Sequence, residues 1–461
     1  MCSWSQLARA MSAVSILAVV STCGLGAYAK TTSVPPEPEL VSAQTDESGS
    51  VPPPTIELEP SPYDAIELPA SLRVDENRLV VRRGPSRKNK RRGVVMKGTR
   101  LPVHEAVEGP GCKQPWYRIH EDAWVCGSKV EASTDNPHGQ RYPVVPDGEL
   151  TPWPYAFVRQ AALEYRYGGG GLSEVREVFK GYGFGVKGYT KVGGQTYFRT
   201  VEGRLVPRHA AGITRRISDF EGVALGEDHS LPLGWVNSKK AWTYNEPKRN
   251  KKYRLEAIER YETLEVLEVR GKGKRGFVRV DEGIWVRRAD VRIAEIAPLP
   301  KSYEPGERWV DVNIAEQVVT AYEGETPVYV TLASTGRWGA SRTKKGEFRI
   351  WVKISAIPMD NTDEELEEEE VDDIDLDGGV EDDRHLYSLH DVPWTQFFFE
   401  SYALHGVYWH NRFGNRRSHG CVNLSPIDAR WFFDWTRPFL PDGWWAIYTA
   451  KSERGTLVRV R

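Results

Sequence analysis

One short pattern, repeated along the chain, limits the fold more than any other feature. The stretch WYRIHEDAWVCGSKV from Trp116 aligns without gaps on FVRVDEGIWVRRADV from Phe277. The two share Arg118 with Arg279, Glu121 with Glu282, Trp124 with Trp285, Val125 with Val286 and Val130 with Val291. A fainter copy, YFRTVEGRLV from Tyr197, keeps Arg199, Glu202 and Val206. In each copy apolar and polar residues alternate, the chain turns at an acidic or glycine pair, and the alternation resumes, which is the pattern of a β-hairpin. Basic loops precede the outer copies: GPSRKNKRR (Gly84 to Arg92) and EPKRNKKYR (Glu246 to Arg254). Internal repetition of this kind implies small stacked units rather than one large core. With 42 Gly and 30 Pro among 461 residues, short strands and turns are expected over long helices, so the chain reads as mainly β.

The N-terminus carries Arg9, an apolar run from Ala10 to Val20, and small residues ending Ala27-Tyr28-Ala29. This is a secretory leader, too short to span a bilayer and cleaved after Ala29. A second reading is lipidation at Cys23, since Val-Ser-Thr-Cys loosely resembles a lipobox, and only then would a membrane be a partner. Either way the chain is expected to be exported, to the periplasm or cell wall. The segment 30–70 is rich in Pro, Ser and Glu, as a disordered tether would be. Export changes the meaning of the cysteines. Cys112 and Cys126, close together in a strand-rich segment, become candidates for a disulfide, and Cys421 is left over.

Net charge is −2, yet 15 of the 64 acidic residues lie between Asp360 and Asp383, where there is no Lys or Arg. The remaining surface is therefore basic. For an exported protein this points to anionic wall polymers or lipid headgroups, not nucleic acid. The acidic run itself (insert 360–384) reads as a solvated insertion that could serve as a lid or fold over the basic repeats. Asp373, Asp375, Asp377 and Gly378 begin like a calcium loop, but Arg384 stands where its bidentate Glu belongs.

From Trp309 short β runs follow, and only SPIDARWFFDW (Ser425 to Trp435) looks helical. Ser425 is placed as N-cap, Pro426 in the first position, Asp428 closing a capping box, and Ile427, Trp431 and Trp435 at i, i+4 spacing. Cys421 sits on the turn feeding that helix. A thiol there can be held by rigid neighbours and still meet a substrate, provided an imidazole is near enough to activate it. His419 lies two residues before it, and His405, at the end of a predicted strand, lies 16 before it. The intervening loop can double back, which makes His405 the preferred base. Gly420 lets backbone amides around the sulfur face a developing oxyanion. A zinc cluster of His405, His410, His419 and Cys421 is the competing reading, although the spacing lacks a short paired ligand motif. His410, between Trp409 and Asn411, is read as a loop histidine outside the site.

These residues carry a resemblance. His405 with Ser418-His419-Gly420-Cys421-Val422-Asn423, LSPIDARWFFDW after them, and STG with T-x-x-G-x-F at Ser334 to Phe348 resemble the L,D-transpeptidase (YkuD-type) catalytic family over about Trp309 to Ala450. The resemblance implies Cys421 as nucleophile, His405 as base and Gly406 as the carbonyl that orients the imidazole. It also implies His419, Gly420 and Cys421 framing an oxyanion site, Asn423 bracing the turn, and peptidoglycan stem peptides as substrate, with no cofactor and no metal. Water as acceptor would make the enzyme a carboxypeptidase, and a dead site would make it a wall-binding scaffold. Two departures stand out: the short loop from Tyr408 to Arg417, and Lys344 where a proline normally follows Thr343. The repeats resemble bacterial SH3-like barrels, the first copy (LVVRRGPS…KGTRLPV…WYRI…AWV) most closely, giving modules at 71–135, 150–232 and 233–297 ahead of a catalytic domain at 305–452. Such modules bind wall polymer, pack on a catalytic domain, or act as spacers.

Overall fold

The computed structural model describes residues 68–215, 217–360 and 387–461. The leader with Cys23, nearly all of the tether, and the acidic insert with its calcium-like aspartates lie outside these residues. The described chain is mainly β, and among the described residues Pro426–Trp435 is the one α-helix.

Two sheets and this helix build the C-terminal segment. The first sheet runs Val223–Ala224, Thr326–Leu332, Val318–Glu323, Arg308–Asn313, Leu457–Val460, Gly346–Arg349. Leu457–Val460 lies beside Arg308–Asn313 in parallel, Trp309 opposite Leu457, so this part of the fold continues past residue 452. The second sheet contains Val352–Asp360, Ser388–Phe399, Tyr402–Gly406, Val422–Leu424 and Trp444–Tyr448. Val310, Val312, Val319 and Ala321 of the first sheet join Phe398, Leu404, Val422 and Leu424 of the second, and Ala429, Phe432 and Phe433 of the helix, in one buried cluster. Full burial of each such side chain contributes about 1.5–3 kcal/mol.

The helix starts where the residues require it. Ser425 Oγ accepts from the Asp428 amide at 3.1 Å and Pro426 occupies the first turn. Its core face is Ala429, Phe432 and Phe433, while Ile427, Trp431 and Trp435, the stripe suggested by spacing, are only half-buried. The Asp428 carboxylate does not return to the Ser425 amide. It accepts from Tyr329 Oη at 2.8 Å, Gly222 N at 2.8 Å, Ser425 Oγ at 2.8 Å and Thr331 Oγ1. At the other end the wholly buried Lys353 donates to the carbonyls of Phe433 and Thr436, closing the last turn.

The repeated sequence folds repeatedly. Trp116–His120 and Ala123–Cys126 form a hairpin followed by the 3-10 turn Gly127–Lys129 and the strand Val130–Ser133. Phe277–Asp281, Ile284–Arg287, Arg288–Asp290 and Val291–Ala294 repeat that succession. The middle copy keeps a hairpin, with Phe198 opposite Val206. The first two regions are stitched into the C-terminal sheets, while the strands of 233–297 form two sheets of their own. Arg91–Met96 pairs with Trp444–Tyr448, Gly183 with Leu389, and Val223 with Val330. At the first seam Gly93 permits a close approach, because a Cβ there would lie 2.3 Å from the Trp444 ring and 2.5 Å from Ala446 O. Buried Arg92 adds ion pairs to Asp122 at 2.8 Å and Glu453 at 2.9 Å. Cys112 and Cys126 are joined as a disulfide, Cα–Cα 5.6 Å.

Candidate active site

Two short parallel strands set the site. Tyr402–Gly406 and Val422–Leu424 pair with Leu404 opposite Val422, His405 opposite Asn423 and Gly406 opposite Leu424. Register partners on adjacent strands project from the same face, so the His405 and Asn423 side chains leave the sheet together. Parallel neighbours need a crossover, and here it is the segment 407–421. Cys421 ends that crossover. Its Sγ donates to Ser401 O at 3.5 Å and accepts from the Ala403 amide, which holds the sulfur against the strand that carries His405.

The turn before the sulfur is tied down on all sides. Ser418 Oγ donates to Cys421 O and accepts from the Gly420 amide at 3.1 Å. Gly420 has φ +134°, and a Cβ there would press to 2.7 Å from the Tyr402 ring. The Gly420 amide is thus engaged by Ser418 in this structure. The exposed His419 ring stacks on Tyr387 with centroids 4.9 Å apart. Ser334, Thr335 and Gly336 brace the motif from the facing sheet. Ser334 and Asn423 exchange two backbone hydrogen bonds of 2.9 Å, Arg417 N donates to Thr335 O at 2.9 Å, and Arg337 N donates to Ser418 O at 3.0 Å. Thr343 Oγ1 accepts from Gly336 N at 2.8 Å, which fixes this loop although Lys344 follows.

The His405 ring is buried, and its Nδ1 donates to Gly406 O at 3.1 Å. That bond fixes the tautomer and leaves Nε2 as the basic nitrogen. Burial pushes the imidazole down to about 4. Cys421 as a residue keeps part of its surface open, but the surroundings of the sulfur are dry enough to push the thiol up to about 11. Both shifts favour the uncharged forms. A thiol at Cys421 and a neutral imidazole at His405 are the forms that this burial favours. Such a pair suits attack in which the imidazole takes the thiol proton as the sulfur–carbon bond forms.

His410 is the residue that sequence reasoning left out. It is half-buried, its Nε2 lies 3.2 Å from the Asn423 amide nitrogen, and its Nδ1 accepts from Arg412 N at 3.3 Å. Burial and then the Arg417 charge push it down to about 3. Its only sequence signal was its place between Trp409 and Phe413, whose rings lie 6.2 and 5.4 Å from it. Among the described residues no three His, Cys, Asp or Glu side chains group as a metal site.

With this geometry in place, the comparison with known families is direct. Residues 307–460 match the YkuD model, an L,D-transpeptidase catalytic domain. This part of the chain is an L,D-transpeptidase catalytic domain. The match includes Leu457–Val460, the strand beyond the expected boundary. No curated protein matches the sequence. Solved structures similar to the L,D-transpeptidase domain include an L,D-transpeptidase from Xylanimonas cellulosilytica, 18% identical, covering 36% of this chain and 64% of that one, TM-score 0.22. A second is an L,D-transpeptidase from Mycobacterium smegmatis, 16% identical, covering 42% and 81%, TM-score 0.25. A third is L,D-transpeptidase 3 from Mycobacterium tuberculosis in complex with a faropenem-derived adduct, 17% identical, covering 40% and 76%, TM-score 0.24. The chain spans just under two thirds of the length of the first of these. The assignment of the L,D-transpeptidase domain rests on the family match, not on these likenesses.

Proposed function

We propose that this protein is a cysteine-dependent L,D-transpeptidase acting on peptidoglycan stem peptides. The observation that carries the reading is the placement of Cys421 Sγ against the strand bearing His405, whose tautomer Gly406 O fixes. In the proposed reaction Sγ attacks the carbonyl that joins an L-centred residue to a terminal D-amino acid, and Nε2 of His405 takes the thiol proton. The carbon–nitrogen bond breaks, that proton goes to the leaving amine, and a thioester remains. A neighbouring stem's amine then attacks the thioester carbonyl, giving its proton to Nε2. The sulfur leaves and recovers a proton, and a cross-link has formed; water in place of the amine would release a trimmed stem. The Cys421 amide meets no acceptor among the described residues and is our candidate donor to the oxyanion.

The test is intact-mass analysis with a carbapenem as acyl donor, followed by mass analysis of muropeptides. The protein should gain one adduct on Cys421, and Cys421→Ala should gain none while staying folded. Substantial cross-linking or trimming by Cys421→Ala would refute the assignment.

We place the chain outside the cytoplasmic membrane, a reading supported by its leader-like N-terminus and by the Cys112–Cys126 disulfide. We read the three regions ahead of the domain as SH3-like modules. The third also supports contact with an anionic wall polymer. Arg249 Nη2 donates to Lys274 O at 2.8 Å, which joins two basic loops with Lys248, Lys251 and Lys252 on one and Lys272 and Arg275 on the other, all exposed. Retention on a polyol-phosphate polymer should weaken steeply with salt and drop when Lys251 and Lys272 are both changed to Glu. Retention unchanged in that variant would remove this partner.

A further inference from the structure

We infer that His410 is a positioning residue for Asn423, and that the repeat at 233–297 holds it there as a working part of the site. The inference rests on the reading of Cys421 as the nucleophile and adds a layer behind it.

The crossover between His405 and Cys421 carries its own polar backbone through irregular structure, and those groups need partners. The repeat supplies them. Arg292 Nε donates to Gly414 O at 2.7 Å, Asn237 Nδ2 to the same oxygen at 3.2 Å, Arg260 Nη2 to Phe413 O at 3.2 Å, and Tyr261 Oη to Asn411 O. Arg292 Nε and Arg260 Nη2 are thus spent on the crossover, while Arg292 Nη1 donates to Val291 O of the repeat at 3.4 Å. Contact is close enough to dictate residue type: Gly414 has φ +83°, and a Cβ there would come within 2.4 Å of the Asn237 side chain. On the other flank Gly414 N donates to Ala333 O at 2.8 Å and Ser334 Oγ to Arg412 O at 3.0 Å. His410 lies directly before the four residues held in this way.

The hydrogen bonds of His410 then fix its neighbour. Nδ1 accepts from the Arg412 amide, so the single proton of the neutral ring is on Nε2, and Nε2 must donate. The atom of Asn423 that faces it is therefore the carbonyl oxygen, which turns the amide over from the arrangement with nitrogen facing nitrogen. The other amide position of Asn423 is buried and meets no partner. With the amide turned, that position holds the NH2 group, an unused donor on the face Asn423 shares with His405. His410 thus chooses which end of the Asn423 amide the site presents, and the repeat keeps His410 in place to do so.

The test uses the full chain with nitrogen-labelled histidine. Imidazole nitrogen shifts should show His410, assigned by comparison with His410→Gln, as the Nε2–H tautomer, and His405 as Nδ1–H. A Nδ1–H tautomer for His410 would overturn the proposal whatever the enzyme does. In parallel, Cys421 is acylated with a carbapenem and alkylated with iodoacetamide. His410→Ala and Arg292→Ala should acylate at least tenfold more slowly, with alkylation and melting temperature close to the unmodified protein, and Arg292→Lys should recover most of the rate. Acylation at the full rate in His410→Ala overturns the inference, as does a loss that alkylation and melting follow in step. If the unmodified protein is alkylated but never acylated, the transpeptidase reading has failed, and the tautomer measurement still decides the placement of His410.

Discussion

The Nδ1–H of His405 is held by the carbonyl of Gly406 at 3.1 Å, which leaves Nε2 as the one basic nitrogen of a buried ring. Because burial depresses this imidazole to about 4, the ring is neutral at every pH well above that, as the proposed base must be. Acylation of Cys421 should therefore stay level from neutral pH down to about 5 and fall only as the pH nears 4. A free histidine would already lose its base function near 6.5. His405→Gln should lower the rate about 10²–10⁴-fold. A profile that drops with a midpoint near 6.5 would contradict the buried, neutral ring.

The thiol moves in the opposite direction. Burial pushes Cys421 up to about 11, so its reaction with iodoacetamide should keep climbing with pH well beyond 9. A plateau reached by pH 7 would mean a resting thiolate and would remove His405's role as a base acting during attack.

Local chemistry was legible in the sequence, and long-range pairing was not. Ser425, Pro426 and the tight turn at Gly420 announce themselves because capping and turn geometry depend on neighbours a few residues away. His410 gave almost no signal, since its partner Asn423 is 13 residues distant and is met only once two strands pair in parallel. Leu457–Val460 was missed for the same reason: its place beside Arg308–Asn313 is set by tertiary register, with no turn or period to betray it. The repeats were visible as hairpins, yet nothing in their alternation tells that Gly93 lies against Trp444. Nor does it tell that strands of the first two regions pair with strands of the C-terminal sheets.

That seam can be tested by adding a single methyl group. Gly93→Ala places a Cβ where the Trp444 ring and Ala446 O already stand, and it should cost about 1–3 kcal/mol as the strand Arg91–Met96 is pushed from Trp444–Tyr448. Hydrogen exchange should rise at Gly93 to Val95 and at Trp444 to Ile447 together. Faster exchange on the N-terminal side alone would mean that the two sheets are not coupled.

The disulfide should act on stability and leave the chemistry alone. It closes a loop of 14 residues in the first repeat, far along the chain from Cys421, and its loss should cost about 3 kcal/mol. A Cys112→Ser, Cys126→Ser double variant should melt at lower temperature and acylate Cys421 at the unmodified rate. Slower acylation at a temperature where the variant is fully folded would show that the first repeat reaches the site.

Asp428 links the helix start to the first sheet, and its titration should be visible in stability. Burial raises its carboxyl to about 6 from 3.8, against the hydrogen bonds from Thr331, Gly222, Tyr329 and Ser425 that favour the charged form. A carboxyl whose folded value is raised binds more protons in the native state than in the unfolded one across that window. Its contribution is therefore largest below about pH 4 and declines as pH rises to about 6. The shift corresponds to about 3 kcal/mol. Asp428→Asn removes the titrating group, so the stability difference between the unmodified protein and this variant should shrink by that order between pH 4 and pH 6.5. Denaturant melts at a series of pH values measure it, and a difference that stays flat or grows with pH would show that the carboxyl is not destabilised by its buried position.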